Sequence, residues 1–139
     1  MRYLTSTVFL SLCLVPHAFA QLNELARITE VQNELDKTQE SLLELTSEYG
    51  RLDRRLLEPL DQYSVSLIEN ERFSDADRVL DQAIQIVRVS EGLYSPGQFS
   101  LILRSIKNKV NQQDWEDAKE LMQHFSWLLG RGENQVNEE

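Results

Sequence analysis

Few side chains in this sequence have the types and spacing that catalysis or metal binding needs. His124 stands beside Phe125 with no nucleophile or acid patterned around it, so it reads as a structural imidazole. Asp75-Ala76-Asp77 opens like a calcium loop. Val79 and Leu80 then stand where an oxygen ligand and a glycine are required, so these acids read as capping and solvating groups. Trp115, Trp127 and Phe125 fall at helical spacing and are expected in a core. There is no Gly-rich phosphate loop and no nucleophile elbow. The expectation is a protein with no catalytic residue, no cofactor and no metal.

Composition narrows the partners. The 139 residues suit one domain, and 14 basic against 23 acidic residues disfavour nucleic acid, which needs clustered Lys and Arg. The first twenty residues read as an export signal. Arg2 is followed by a mostly apolar run from Leu4 to Val15, and Ala18-Phe19-Ala20 places small residues before a cut at Gln21. The apolar run of about 12 residues is shorter than the roughly 20 that span a bilayer, so no transmembrane segment is expected after processing. Cleavage removes Arg2, the one charged residue of the segment, and takes the formal net charge from −9 to −10. Cys13 and His17 leave with it, and thiol chemistry is excluded from the mature chain. The expected address is the periplasm or cell envelope.

A heptad pattern follows. Ile28, Leu35, Leu42, Tyr49 and Leu56 occupy one position, and Val31, Thr38, Leu45 and Leu52 lie three residues later. The spacing predicts a long coiled-coil-like helix over residues 21–57 that passes through Gly50, with Pro59 in the first turn of the next helix. At about 1.5 Å per residue it would be about 55 Å long, beyond what short helices can cover. The seam at Ile28, Val31, Leu35, Leu42 and Leu45 is therefore an expected contact surface for a partner or a second copy. In a parallel homodimer the flanking positions would set Glu48 against Asp53, so a staggered or antiparallel pairing suits them better.

Beyond the seam, the chain matches itself at an offset of 42 residues. Phe73 and Ala76 lie over Trp115 and Ala118; Val79, Leu80, Ala83 and Val87 lie over Leu121, Met122, Phe125 and Leu129. Ser74 with Asp77 would cap a helix running to about Glu91 before Gly92, and Ser95-Pro96-Gly97-Gln98 has the layout of a capping box. Asp114 would cap a last helix that Gly130 and Gly132 end, leaving residues 130–139 as an acidic tail.

These residues resemble the tetratricopeptide repeat in its long, 42-residue variant, as in exported bacterial proteins that carry such repeats after a coiled coil. The turn aromatic corresponds to Phe73 and Trp115, and the small residue to Ala76 and Ala118, over residues 58–129. The turn glycine is replaced by Glu71 and Gln113, Ser64 and Ile106 replace the small helix-A residue, and the terminal Pro is missing. The resemblance implies an all-α fold with two helical hairpins after the long helix, binding a protein through an inner groove. Asp61, Gln62, Val65, Arg104, Lys107 and Asn111 would line that groove, acidic at one end and basic at the other. Asp61 and Val65 stand where the family's carboxylate clamp has Lys and Asn. The expected function is an exported interaction scaffold; the alternative is an oligomeric coiled-coil structural or chaperone-like envelope protein.

Overall fold

Four backbone positions with positive φ punctuate the described residues, and they fall into two pairs 42 residues apart. The structure, a computed structural model, describes residues 15–136, with side chains at 21 and from 23 to 131. Among these, Gly50 (φ +88°) pairs with Gly92 (+106°), and Glu71 (+59°) with Gln113 (+61°). The helices between them are α1 (Val15–Tyr49), α2 (Leu57–Glu69), α3 (Phe73–Glu91), α4 (Phe99–Asn111) and α5 (Trp115–Val136). There is no strand among the described residues, so the all-α class stands.

The period reaches down to single hydrogen bonds. Between α2 and α3 the Glu71 amide donates to the Ile68 carbonyl at 3.1 Å and the Arg72 amide to Leu67 at 2.9 Å. Between α4 and α5 the Gln113 amide donates to Val110 and the Asp114 amide to Lys109, both at 3.0 Å. Each is a Schellman closure, with the left-handed residue at C′ satisfying carbonyls that the helix end leaves open. The connectors repeat too. Gly50 donates to Thr46 at 2.9 Å and Gly92 to Arg88 at 3.1 Å. One-turn 3-10 helices follow at Arg54–Leu56 and Pro96–Gln98, capped by the side chains of Asp53 and Ser95. Glu91 ties the two connectors together, pairing with Arg54 at 2.7 Å and accepting from the Ser95 hydroxyl at 2.7 Å.

Several expected boundaries change for local reasons. The helix of the heptad stretch ends at Tyr49, because Gly50 takes a positive φ that closes α1. Leu52 then lies exposed in the connector, and Leu56 is buried in the 3-10 turn rather than on a seam. Helix α3 begins at Phe73, ahead of Ser74, because the left-handed Glu71 delivers Arg72 to the cap position. Ser95 does cap its turn, but Gln98 does not reach back to it. That side chain is buried, donating to the Leu93 carbonyl at 2.8 Å and accepting from Arg88 Nε at 3.1 Å. Helix α5 continues through Gly130 and Gly132 to Val136. Residues 1–14 of the expected signal and 137–139 of the expected tail lie outside the described residues, and Val15 to Ala20 belong to α1.

The chain divides into two units, residues 1–37 and 38–139. In the first, the described residues form a single helix laced by local bonds such as Arg27–Glu24 at 3.2 Å and Gln32–Asp36 at 2.8 Å, with Leu25 and Ile28 exposed. In the second, α2 packs on α3, α3 on α4, and α4 on α5. Leu56, Leu60, Leu67, Leu80, Ile86, Ile102 and Leu128 are buried there, each side chain contributing about 1.5–3 kcal/mol by leaving water. Ala76 and Ala118 are buried as well, as expected for small residues where helices approach closely.

Candidate interaction surfaces

The residues expected to line a groove do share the α2 and α4 surfaces, but their charges meet. Arg104 on α4 is ion-paired with Asp61 on α2, and its Nη1 also donates to the Ser64 hydroxyl at 3.3 Å. The expected acidic and basic ends are thus one neutral pair. Gln62 is exposed and bonded to Glu58, Val65 is half-buried, and Lys107 and Asn111 are exposed. Lys109, also on α4, is surrounded by acids from two other segments. Its Nζ lies 3.1 Å from Asp77, 3.0 Å from Asp117 and 3.6 Å from Asp114. Partial burial alone would lower the pKa of this ammonium. Hydrogen bonds to Asp117 and Asp77, with their charges, outweigh that and raise it.

The expected helix seam is divided. Ile28 is exposed, Val31 and Leu45 are half-buried, and Leu35 and Leu42 are buried within the single chain. Leu42, inside the second unit, is therefore already covered.

Two recesses lie 42 residues apart in register. The first, about 470 Å³, opens between the end of α1, α2 and α3; the second, about 380 Å³, between α3, α4 and α5. Gln39, Tyr63, Asp75, Arg78 and Gln82 line the first, and Asp81, Ser105, Asp117, Glu120 and His124 take their places in the second. The signs are opposite. Three arginines (Arg51, Arg72, Arg78) and one aspartate (Asp75) line the first; one lysine (Lys109) and four carboxylates (Asp77, Asp81, Asp117, Glu120) line the second. Partial burial, then the charge of Asp77, raises the Asp81 carboxyl above the ordinary carboxylate value, against the pull of Lys109 and Arg88.

A further surface comes from residues expected in the core. Trp115 is 64% exposed, Met122 46% and Leu129 42%, one stripe at seven-residue spacing along α5. Their counterparts on α3 are Phe73, half-buried, and Leu80 and Val87, 0% and 3% exposed. Helix α3 packs on both α2 and α4, whereas α5 packs on α4. The stripe is thus a face that is packed in α3 and bare in α5. Trp127 is exposed too, stacked on His124 at 5.9 Å, edge-on to Tyr94 at 5.6 Å and under Arg131 at 4.8 Å. His124 also meets Arg88 Nη2 at 3.3 Å; beside a permanent guanidinium, its Nε2 serves as the acceptor. Nothing in the helical period announces the Arg88–Gln98–His124 contacts, since their partners come from three separate segments.

Among the described residues there is no group of three or more His, Cys, Asp or Glu arranged to hold a metal ion, and no helix is long and apolar enough to cross a membrane. Comparisons of the chain with family models, with curated proteins and with solved structures find no match.

Proposed function

We propose that this protein is an exported scaffold or adaptor that binds a protein partner, built as an array of long tetratricopeptide-like repeats preceded by a helix. The observation that carries the reading is the bare stripe Trp115, Met122 and Leu129 on α5, at positions whose α3 counterparts are packed inside the array. An apolar stripe of this kind on an otherwise strongly charged chain supports the reading of an interaction surface. The 42-residue recurrence of turns, caps and helix starts supports the repeat reading, and Ala18-Phe19-Ala20 before Gln21 supports export.

The alternative, an oligomeric coiled-coil protein of the envelope, draws on the exposed Leu25 and Ile28 one turn apart on α1. A photo-crosslinking residue placed at Met122 or at Ile28 in the native host separates the two. A discrete adduct with a different protein at Met122 supports the scaffold. A self-adduct confined to Ile28 supports the alternative, and no adduct at Met122 contradicts the scaffold reading. Intact mass of the exported protein reads the Gln21 terminus in the same preparation.

A further inference from the structure

The recess between α1, α2 and α3 joins an apolar floor to a surplus of guanidinium groups. Leu42, Leu60 and Tyr63 are buried beneath it, Val79 is half-buried at its wall and Leu43 is exposed at its mouth. Arg51 and Arg78 stand exposed at its rim. Asp75 is the one carboxylate of the lining, and Arg72 and Arg78 both bind it, so a single anion faces three cations. This local surplus lies on a chain of formal charge −9. Gln82 donates to the Arg51 carbonyl at 3.2 Å and fixes the connector that carries Arg51 against α3. Arg51, Arg78 and Gln82 also border an adjoining hollow, which adds the exposed Leu52 together with Asp81 and Gln85.

We infer that this recess is a docking site for an acidic, aliphatic segment of a protein partner. The inference rests on the scaffold reading and adds the chemistry of the bound segment. The carboxylates of the segment pair with Arg51 and Arg78, which offer planar, two-pronged donors. Its aliphatic side chains cover Leu43 and Val79, which are otherwise wet. The recess 42 residues on has the same backbone and four carboxylates, and it repels such a segment. A nucleic acid does not suit the site, because the floor is aliphatic and its Tyr63 ring is buried, which leaves no stacking platform.

The test uses the full mature chain and a fluorescein-labelled nonapeptide, Gly-Ser-Glu-Leu-Glu-Ile-Glu-Gly-Ser, with a second peptide carrying Gln in place of each Glu. The expected result is saturable binding of the Glu peptide, at least about tenfold weaker for the Gln peptide and weakened by salt. Arg51→Glu and Arg78→Glu together should weaken it by about tenfold or more, and Leu43→Asp by a similar factor. Glu120→Arg, in the second recess, should leave it within about twofold. All four positions are exposed, and far-ultraviolet circular dichroism checks that the variants remain folded. The inference is overturned if the Glu peptide fails to bind at millimolar concentration, if the Gln peptide binds equally well, or if the double arginine variant binds like the parent. Each of these results leaves a Met122 adduct intact, so the recess can fail while the scaffold reading stands.

Discussion

Helices α3 and α5 are built on one plan and end in opposite circumstances. Both start one residue after a cap that follows a left-handed turn, at Arg72 and Asp114, and both bury an alanine in the second turn. In α3 the next apolar positions, Leu80 and Val87, are sealed; in α5 Met122 and Leu129 face water. The recesses beside them differ in the same way, one lined by three arginines and the other by four carboxylates. A shared backbone period therefore sets where surfaces lie. Whether a stripe is covered by a neighbouring helix decides if it is core or bare, and the residue types written onto the period decide the charge of each recess.

The sharpest way to break this comparison is to truncate matched positions. Leu80→Ala should cost about 2–5 kcal/mol in urea unfolding, and Met122→Ala less than about 1 kcal/mol, because only the first opens a cavity. Equal losses would mean that α5 is covered as α3 is. Enlarging the matched alanines should act alike at both sites. Ala76→Leu and Ala118→Leu should each cost about 1–3 kcal/mol by overpacking, and a harmless substitution at either would show the helices are not in close approach there.

How much of this was legible in the sequence depends on what periodicity can encode. The 42-residue offset and the two small residues, Ala76 and Ala118, were readable because apolar spacing reports which side of a helix packs. The end of α1 was not. Gly50 and Gly92 play one role, but the residues after them do not match position by position, Arg51 against Leu93 and Leu52 against Tyr94, so the heptad pattern overran its helix. Exposure of Trp115 and Met122 was hidden because an apolar stripe looks the same whether or not a neighbour covers it. The charge pattern failed for a related reason. Arg104 looks unopposed along α4, while its acid, Asp61, sits roughly 40 residues earlier and meets it only across the helix packing.

Relaxing the turns sharpens the comparison with a smaller effect. Glu71→Gly and Gln113→Gly should each stabilise by about 0.5–1 kcal/mol, because a side chain at positive φ carries a steric cost that glycine avoids. Stabilisation at only one site would make the two turns unequal.

The pH dependence gives the smallest and most local effects, and the two carboxyls differ in sign. The Arg55 side chain and amide hold the Asp53 carboxyl down at about 2. A depressed carboxyl contributes stability above its ordinary value and loses it as pH falls toward 2, so Asp53→Asn should flatten the acid limb of the stability profile. The Asp81 carboxyl is raised, so the folded state holds that proton more tightly than the unfolded chain. Its contribution is present at low pH and is lost as pH rises through the folded value. Asp81→Asn should therefore raise the urea midpoint slightly at pH 7 and leave it unchanged below the ordinary carboxylate range.

The central claim is a backbone period of 42 residues whose two left-handed turns lack glycine. Backbone chemical shifts with residual dipolar couplings on the protein measure it most directly. Glu71 and Gln113 should both show positive φ, with the Arg72 and Asp114 amides protected by their bonds to Leu67 and Lys109. Right-handed helical values at either residue would join α2 to α3, or α4 to α5, as one continuous helix and would contradict the account.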